Sequence, residues 1–461
     1  MGLLLVTATG ICSMMGASIN VIPFMIQKNV PGIGPYVVPA FLFAAIPAVF
    51  AAYAYAILSS AMPRAGGSYL YASRGLSPYL GFIASFSQWF GLSIVIGVIS
   101  YIIVPFIRDI FFNLELNNIS DFLEIGYVRL FISLMLIWSF VLVNILGGKV
   151  YKNTLIPMLV IMFVLGSIVI ITGFIYDQKD FINSVLSTDN RVIETISDSK
   201  FDLKIFLTAA TLMFSSFIGF DAIAQTGNEA KNPTKNIPRA ILLAIFIVAS
   251  YYILFTVSVY NVVPWNFVAD ESLTKDITAP GLLGYVLPSF WGILIIIGAA
   301  IALINDLPAM ILSVSRLMFA WARDNIFPSS VAIIHSKFKT PYIAIIFVGI
   351  VASIGAIGSH FAGDFFLGID IMVTSMMINF LLMCITIISI EKVNQKLFRT
   401  ITVIKNRRIQ LFIGYVGSLI ILMFLIIHTY KDLSSNVKEW YFHSTYIYLI
   451  VMFIASIYFV F

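Results

Sequence analysis

The sequence predicts an all-α integral membrane protein of about twelve transmembrane helices. Three observations carry that expectation: the composition, the spacing of apolar runs, and the charges placed between them. Of the 461 residues, 60% are hydrophobic and 11% charged, where soluble domains carry about 25% charged residues. So few charges cannot cover a water-exposed surface, whereas lipid accepts the apolar excess. A hydrocarbon core about 30 Å thick takes roughly 20 apolar helical residues to cross. Runs of that kind fall at 3–26, 36–61, 80–107, 128–145, 155–175 and 206–226, then at 240–263, 282–320, 342–358, 365–390, 411–427 and 446–461. The first run contains the small residues Gly16, Ala17 and Ser18. It has no basic stretch before it and continues past them, so it reads as a span and not as a cleaved leader.

The loops support this count. With the N-terminus in the cytoplasm, inside loops hold Arg64, Arg74, Lys149, Lys152, Lys231, Lys235 and Arg239, followed by ten more bases from Arg316 to Arg408. That is 17 of the 27 Lys and Arg. Outside loops hold the acids Asp109, Glu115, Asp121 and Glu124, then Asp177, Asp180, Asp189, Glu194, Asp198 and Asp202. The positive-inside rule then expects a multi-pass protein of the cell (plasma) membrane with both termini cytoplasmic. The net charge of +5 follows from topology, and no nucleic-acid partner is expected. Cys12 and Cys384 sit in apolar runs without a CxxC or HExxH pattern, so no metal site and no cofactor is expected. The four histidines, His335, His360, His428 and His443, fall in or near predicted loops and read as surface residues.

Two spans depart from the ordinary Leu/Ile/Phe pattern. The first carries Gly10-Ile11-Cys12-Ser13-Met14-Met15-Gly16-Ala17-Ser18-Ile19, with Pro23 beyond it. The sixth carries Phe214-Ser215-Ser216-Phe217-Ile218-Gly219-Phe220-Asp221. Small residues at mid-span let the backbone leave the helix, which lipid tolerates only where the exposed groups line a cavity. Half-helix N-termini then attract an anion and half-helix C-termini a cation, a pairing suited to a zwitterion. Small residues also serve close helix packing. The placement of both interruptions in spans one and six, however, matches an inverted repeat of five plus five helices. The expected organisation is a single transmembrane domain over 1–461, with repeats at 3–175 and 206–390 and two additional helices at 411–461.

At these residues the chain resembles the amino acid permeases of the amino acid–polyamine–organocation (APC) superfamily. The segment 10–19 is similar to that family's glycine-rich first-span pattern, with Cys12 and Ser18 in place of glycines. Pro63-Arg64-Ala65-Gly66-Gly67-Ser68-Tyr69 resembles its loop signature after the second span. Gly219-Phe220-Asp221, Glu229-Ala230-Lys231-Asn232-Pro233 and Ile237-Pro238-Arg239-Ala240-Ile241 resemble its sixth-span block. Ser315-Arg316-Leu317, Ala322-Arg323-Asp324 and Pro328 resemble the run after its eighth. The resemblance implies a LeuT-type fold, alternating access and a substrate site between spans one and six. It implies that a substrate carboxylate meets backbone N–H groups of Met15, Gly16, Ala17 and Ser18. The amine would meet carbonyls around Phe214, Ser216 and Ile218, with Ser215 and Ser216 making room and Phe217 or Phe220 as an aromatic gate.

Asp221 and Asp306 are the acids most clearly inside spans, and an intramembrane acid is a functional-site hypothesis by default. A carboxyl that gains and loses a proton suits coupling or gating, and Asp221 occupies the family's acidic position after Gly-Phe. The other reading is a neutral or paired carboxyl capping broken backbone. Asp306 has no clear family counterpart. The fifth span lacks the lysine with which some proton-coupled members replace a sodium ion. Coupling to H+ or Na+, or exchange, stays open, as do the oligomeric state and the choice of amino acid or amine. The expected function is a secondary active transporter of amino acids or related amines. The alternatives are a non-transporting sensor on a transporter fold, and an intramembrane enzyme, for which no catalytic motif is present.

Overall fold

A computed structural model describes residues 1–193, 200–274, 276–362, 366–435, 437 and 439–460, with backbone alone at 17, 18, 113, 362 and 366. Glu194 and Asp198, counted above among the outside acids, lie outside the described residues, as do 365 and 461 at the ends of two expected spans. Among the described residues all regular structure is helical. Eleven stretches are long and apolar enough to cross a membrane. In order they are Leu3–Asn29, Gly34–Ala61, Pro78–Phe112, Gly126–Leu146, Gly148–Ile175, Leu203–Gln225, Pro233–Val262, Ser289–Arg323, Tyr342–Phe361, Leu367–Val393 and Arg407–Ser434. A twelfth apolar helix, Ser444–Val460, has 17 residues, the short end of the spanning range.

Local chemistry sets several ends. The third span starts where Ser77 caps it, its hydroxyl accepting from the Leu80 amide at 3.2 Å, with Pro78 in the first turn. The eighth span starts later than the apolar run suggests. Ala279–Leu283 forms a separate short helix, and the long helix Ser289–Arg323 begins after Pro288. Hydropathy is continuous across this break; Gly284 and Pro288 are the only signals of it. His428, expected at the surface, is instead fully buried, because the eleventh helix runs on to Ser434 and carries it inward beside the Asp370 carbonyl at 3.3 Å.

Burial separates centre from rim. The most apolar stretch of the first span is wholly buried, whereas those of the fourth and fifth are 22% buried. The first span is therefore solvated by protein, and the fourth and fifth face lipid. Helix packing has a regular pattern when spans are numbered modulo five. Second packs on seventh, third on eighth and fourth on ninth. The third–tenth contact has a counterpart in eighth–fifth, third–ninth in eighth–fourth, first–seventh in sixth–second, and fifth–seventh in tenth–second.

Close backbone approach holds the third and ninth spans together. A Cβ on Gly97 would strike the main chain of Gly355 and Ala356, and one on Gly355 would strike that of Ile94. Helices in lipid associate through such small-residue contacts. Gly97→Leu is therefore expected to lower the thermal unfolding midpoint in detergent, with overpacking costing about 1–3 kcal/mol or more. Gly358→Ala, in open space on the ninth span, is expected to leave the midpoint unchanged.

Candidate functional site

The first span is two helices, Leu3–Met14 and Ala17–Asn29, with Met15 (ψ 59°) and Gly16 (φ −102°, ψ −128°) out of helical geometry between them. The carbonyl of Met14 accepts from the Tyr252 hydroxyl of the seventh span at 2.5 Å, and that of Pro23 accepts from Tyr260 at 2.7 Å. The first amides of Ala17–Asn29 have no partner within their own helix.

The sixth span breaks more severely. Helix Leu203–Met213 tightens into a 3-10 turn at Phe214–Phe217, Ile218 is extended, and Gly219 adopts φ +133° before the short helix Ala222–Gln225. A Cβ on Gly219 would collide with the Ser13 carbonyl and the Met14 amide. The two interruptions thus meet backbone to backbone, and only glycine permits both the positive φ and the contact.

Beside them lies a cavity of about 40 Å³. It is lined by Ser13, Met14 and Ile22 of the first span, Ser215 and Ile218 of the sixth, and Val95, Val98, Ile99 and Ile102 of the third. Asp306 and Met310 of the eighth and Ile369 and Met372 of the tenth complete it. This space admits a few waters and must widen to take an amino acid. Asp306 is 3% exposed, and its Oδ1 has no hydrogen-bond partner among the described residues, as is true of the Ser13 hydroxyl. The Asp306 carboxyl lies against Gly16, where a Cβ would collide with its Oδ2 and Cγ. Nearby, Asn305 Nδ2 donates to the Cys12 sulfur at 3.0 Å. Pro308, which has no N–H to continue the helix ladder, offers its carbonyl to Asn144 Nδ2 at 3.2 Å.

The sequence-predicted residues divide. Ser215 and Ile218 line the cavity, and Gly16 supports its acidic wall. Ala17 and Ser18 contribute backbone at the start of the second half-helix. Met15 turns to the other side, with Ile19, Met162 and Tyr251. Ser216 is buried with its hydroxyl unpartnered among the described residues. Phe214, Phe217 and Phe220 are buried in aromatic packing: Phe217 lies 5.2 Å from Phe41, and Phe220 stacks 5.0 Å from Phe380, which Phe214 also meets at 6.0 Å.

Asp221 and Asp306 are not equivalent. Asp221, fully buried, accepts from Gln88 Nε2 of the third span and, at 3.1 Å, from the Gly219 amide. Ser68 in turn donates to Gln88 Oε1 at 2.6 Å. Asp221 therefore braces the Gly219 turn, and the cavity does not reach it. Gln88, Tyr252 and the third-span aliphatics are not marked in the sequence, since nothing in a regular apolar helix shows which face meets a break.

The other quoted motifs gather at one end of the bundle. The Gly66 amide donates to Gln225 Oε1 at 3.2 Å, and Arg316 binds Glu229 through Nη2 at 2.9 Å and Nε at 3.2 Å. Tyr69 donates to Asp324 at 2.7 Å. Burial and that carboxylate raise the Tyr69 phenol well above its ordinary value, so this bond persists across the physiological range.

Two discontinuous helices touching at a small, mostly apolar, protein-walled cavity mark a multi-span membrane protein with main chain exposed at mid-span. The amino acid permease family model matches residues 1–456, and the chain belongs to that family. It is similar to the branched-chain amino acid permease BcaP of Bacillus subtilis, 30% identical over 149 residues, 32% of this chain and 31% of that protein. The chloroplastic cationic amino acid transporter 9 of Arabidopsis thaliana is 29% identical over 208 residues, 42% of this chain and 35% of its own. The methylthioribose transporter of Bacillus subtilis is 31% identical over 149 residues, 32% of this chain and 31% of its own. The chain thus matches about a third of the length of these relatives.

Gly219→Leu combines a strained φ, worth about 1–3 kcal/mol, with a collision against the first-span break. It is expected to abolish substrate uptake into proteoliposomes while membrane insertion is retained. Normal uptake in that variant would dissociate the contact between the breaks from function.

Proposed function

We propose that this protein is a secondary active transporter that moves amino acids or related amines across the plasma membrane by alternating access, with both termini cytoplasmic. The observation that carries this reading is the meeting of two interrupted spans beside a buried cavity. Lipid tolerates such backbone only around a ligand path or within protein. Family membership supports it, and relatives named for branched-chain and cationic amino acids fix no single side chain. Another relative is named for methylthioribose.

A LeuT-type arrangement of inverted repeats at 3–175 and 206–390 accounts for the packing that recurs when spans are exchanged five places along. Five spans per repeat is an odd number, so the second repeat runs inverted. Substrate contacts come from the breaks at 15–18 and 214–218. Asp221 and Asp306 serve gating and coupling, to H+ or Na+. A carrier is favoured over an enzyme because the two intramembrane acids do not share a site: one braces a turn and the other faces the cavity.

Uptake of radiolabelled amino acids and amines into proteoliposomes, under imposed proton and sodium gradients, tests the proposal. No uptake or exchange of any of them would overturn it. Asp221→Asn leaves two buried donors facing a group with a single acceptor oxygen. A lost buried hydrogen bond costs about 1–3 kcal/mol, so uptake is expected to fall by about tenfold or more. Unchanged uptake would remove Asp221 from the gating role.

A further inference from the structure

The start of the half-helix Ala17–Asn29 is where a zwitterion's carboxylate would be drawn, because helix N-termini favour negative charge. The eighth span places a carboxyl of its own there. Asp306 is packed so closely on Gly16 that no β-carbon fits between them. A substrate carboxylate arriving at the same spot would crowd a second carboxyl near contact distance, and two carboxyls so placed in low-dielectric surroundings cannot both be ionised.

The other oxygen of that carboxyl points to the complement. Asp306 lines the cavity, and its Oδ1 is buried and has no hydrogen-bond donor among the described residues. A carboxylate oxygen can only accept, and burying one without a donor is costly. Among the described residues no lysine or arginine lines this cavity. The nearest base along the eighth span, Arg316, is bound to Glu229. Apart from the hydroxyls of Ser13 and Ser215, the remaining wall is aliphatic or thioether, as at Val95, Ile99, Met310 and Met372. The cavity therefore lacks one kind of group, a cationic donor, and offers an apolar sleeve beside it.

We propose that the preferred cargo is an aliphatic primary amine without an α-carboxylate, its ammonium held by Asp306, which stands where a zwitterion's own carboxylate would sit. This rests on the carrier reading above and narrows its substrate class.

The test compares three probes sharing one branched aliphatic chain: leucine, its decarboxylated form 3-methylbutylamine and its deaminated form 4-methylpentanoate. Binding is read as competition and thermal shift on purified protein in detergent, because a neutral amine crosses lipid unaided. The wild-type protein is expected to bind the amine at least tenfold more tightly than leucine and not to bind the acid. Asp306→Asn is expected to lose amine affinity at least tenfold and to gain affinity for leucine, whereas Asp306→Glu keeps the amine preference. Leucine binding more tightly than the amine in the wild type overturns the proposal while leaving the amino acid carrier intact. An unchanged preference in a folded Asp306→Asn protein also overturns it. If Asp306→Asn does not fold, the wild-type comparison decides alone. The separate uptake assay, negative for every amino acid and amine, is the result that fails the carrier reading itself.

Discussion

The organising constraint is that backbone which leaves the helix inside a bilayer must be enclosed by protein. The chain breaks helical hydrogen bonding at Met15–Gly16 and again from Phe214 to Asp221. Those groups would each cost several kcal/mol if they faced hydrocarbon. The rest of the bundle follows from shielding them. The first span is buried along its most apolar length, with the third, seventh, eighth and tenth spans around the breaks. Tyr252 satisfies the Met14 carbonyl, and Asp221 takes the Gly219 amide. The lipid-facing fourth and fifth spans carry no such burden and are plain apolar helices.

The same constraint gives the two acids different work. Asp221 is part of the backbone repair: both its oxygens are engaged, and the Ser68–Gln88 chain ties it to the third span. Asp306 leaves one oxygen without a donor at a cavity wall. A buried carboxyl that is fully satisfied rigidifies its surroundings, whereas a partly satisfied one remains available to a ligand. Equal-looking residues in sequence therefore separate into a satisfied brace and a partly satisfied carboxyl at a cavity wall only when their surroundings are visible.

The helices were legible because burial in lipid leaves a one-dimensional signal, long apolar runs punctuated by charge. Most spans matched, and so did the two interruptions, since runs of small residues around Gly16 and Gly219 fall in spans one and six together. Where the signal was continuous the reading slipped, as at 282–288, where a second short helix hides inside one apolar run. His428 was misplaced because a helix extending past its hydropathy minimum changes burial without changing composition. At the site, main-chain roles were readable from glycine and serine. Side-chain roles were not: Phe217 and Phe220 are packed on Phe41 and Phe380, and no pattern in the third span announced Gln88 or the wall from Val95 to Ile102. Those assignments depend on which helix faces which, a three-dimensional fact that periodicity does not encode.

The two ends of the bundle are held by different physics. At the end gathering the quoted motifs, closure is polar: Arg316 with Glu229, Gly66 with Gln225, Tyr69 with Asp324. Glu229 is one-third exposed whereas Arg316 is buried, so the pair joins a protein-enclosed guanidinium to a carboxylate at the rim. Towards the opposite end, the second half of the first span is held by ring stacking of Phe24 on Tyr260 and by the Tyr260 bond to Pro23. Opening there exposes apolar surface at about 25 cal/mol per Å², with no replacement partner in water. One end is thus held by polar pairs and the other by apolar packing, and the half-helix Ala17–Asn29, whose N-terminus Asp306 meets, belongs to the apolar end.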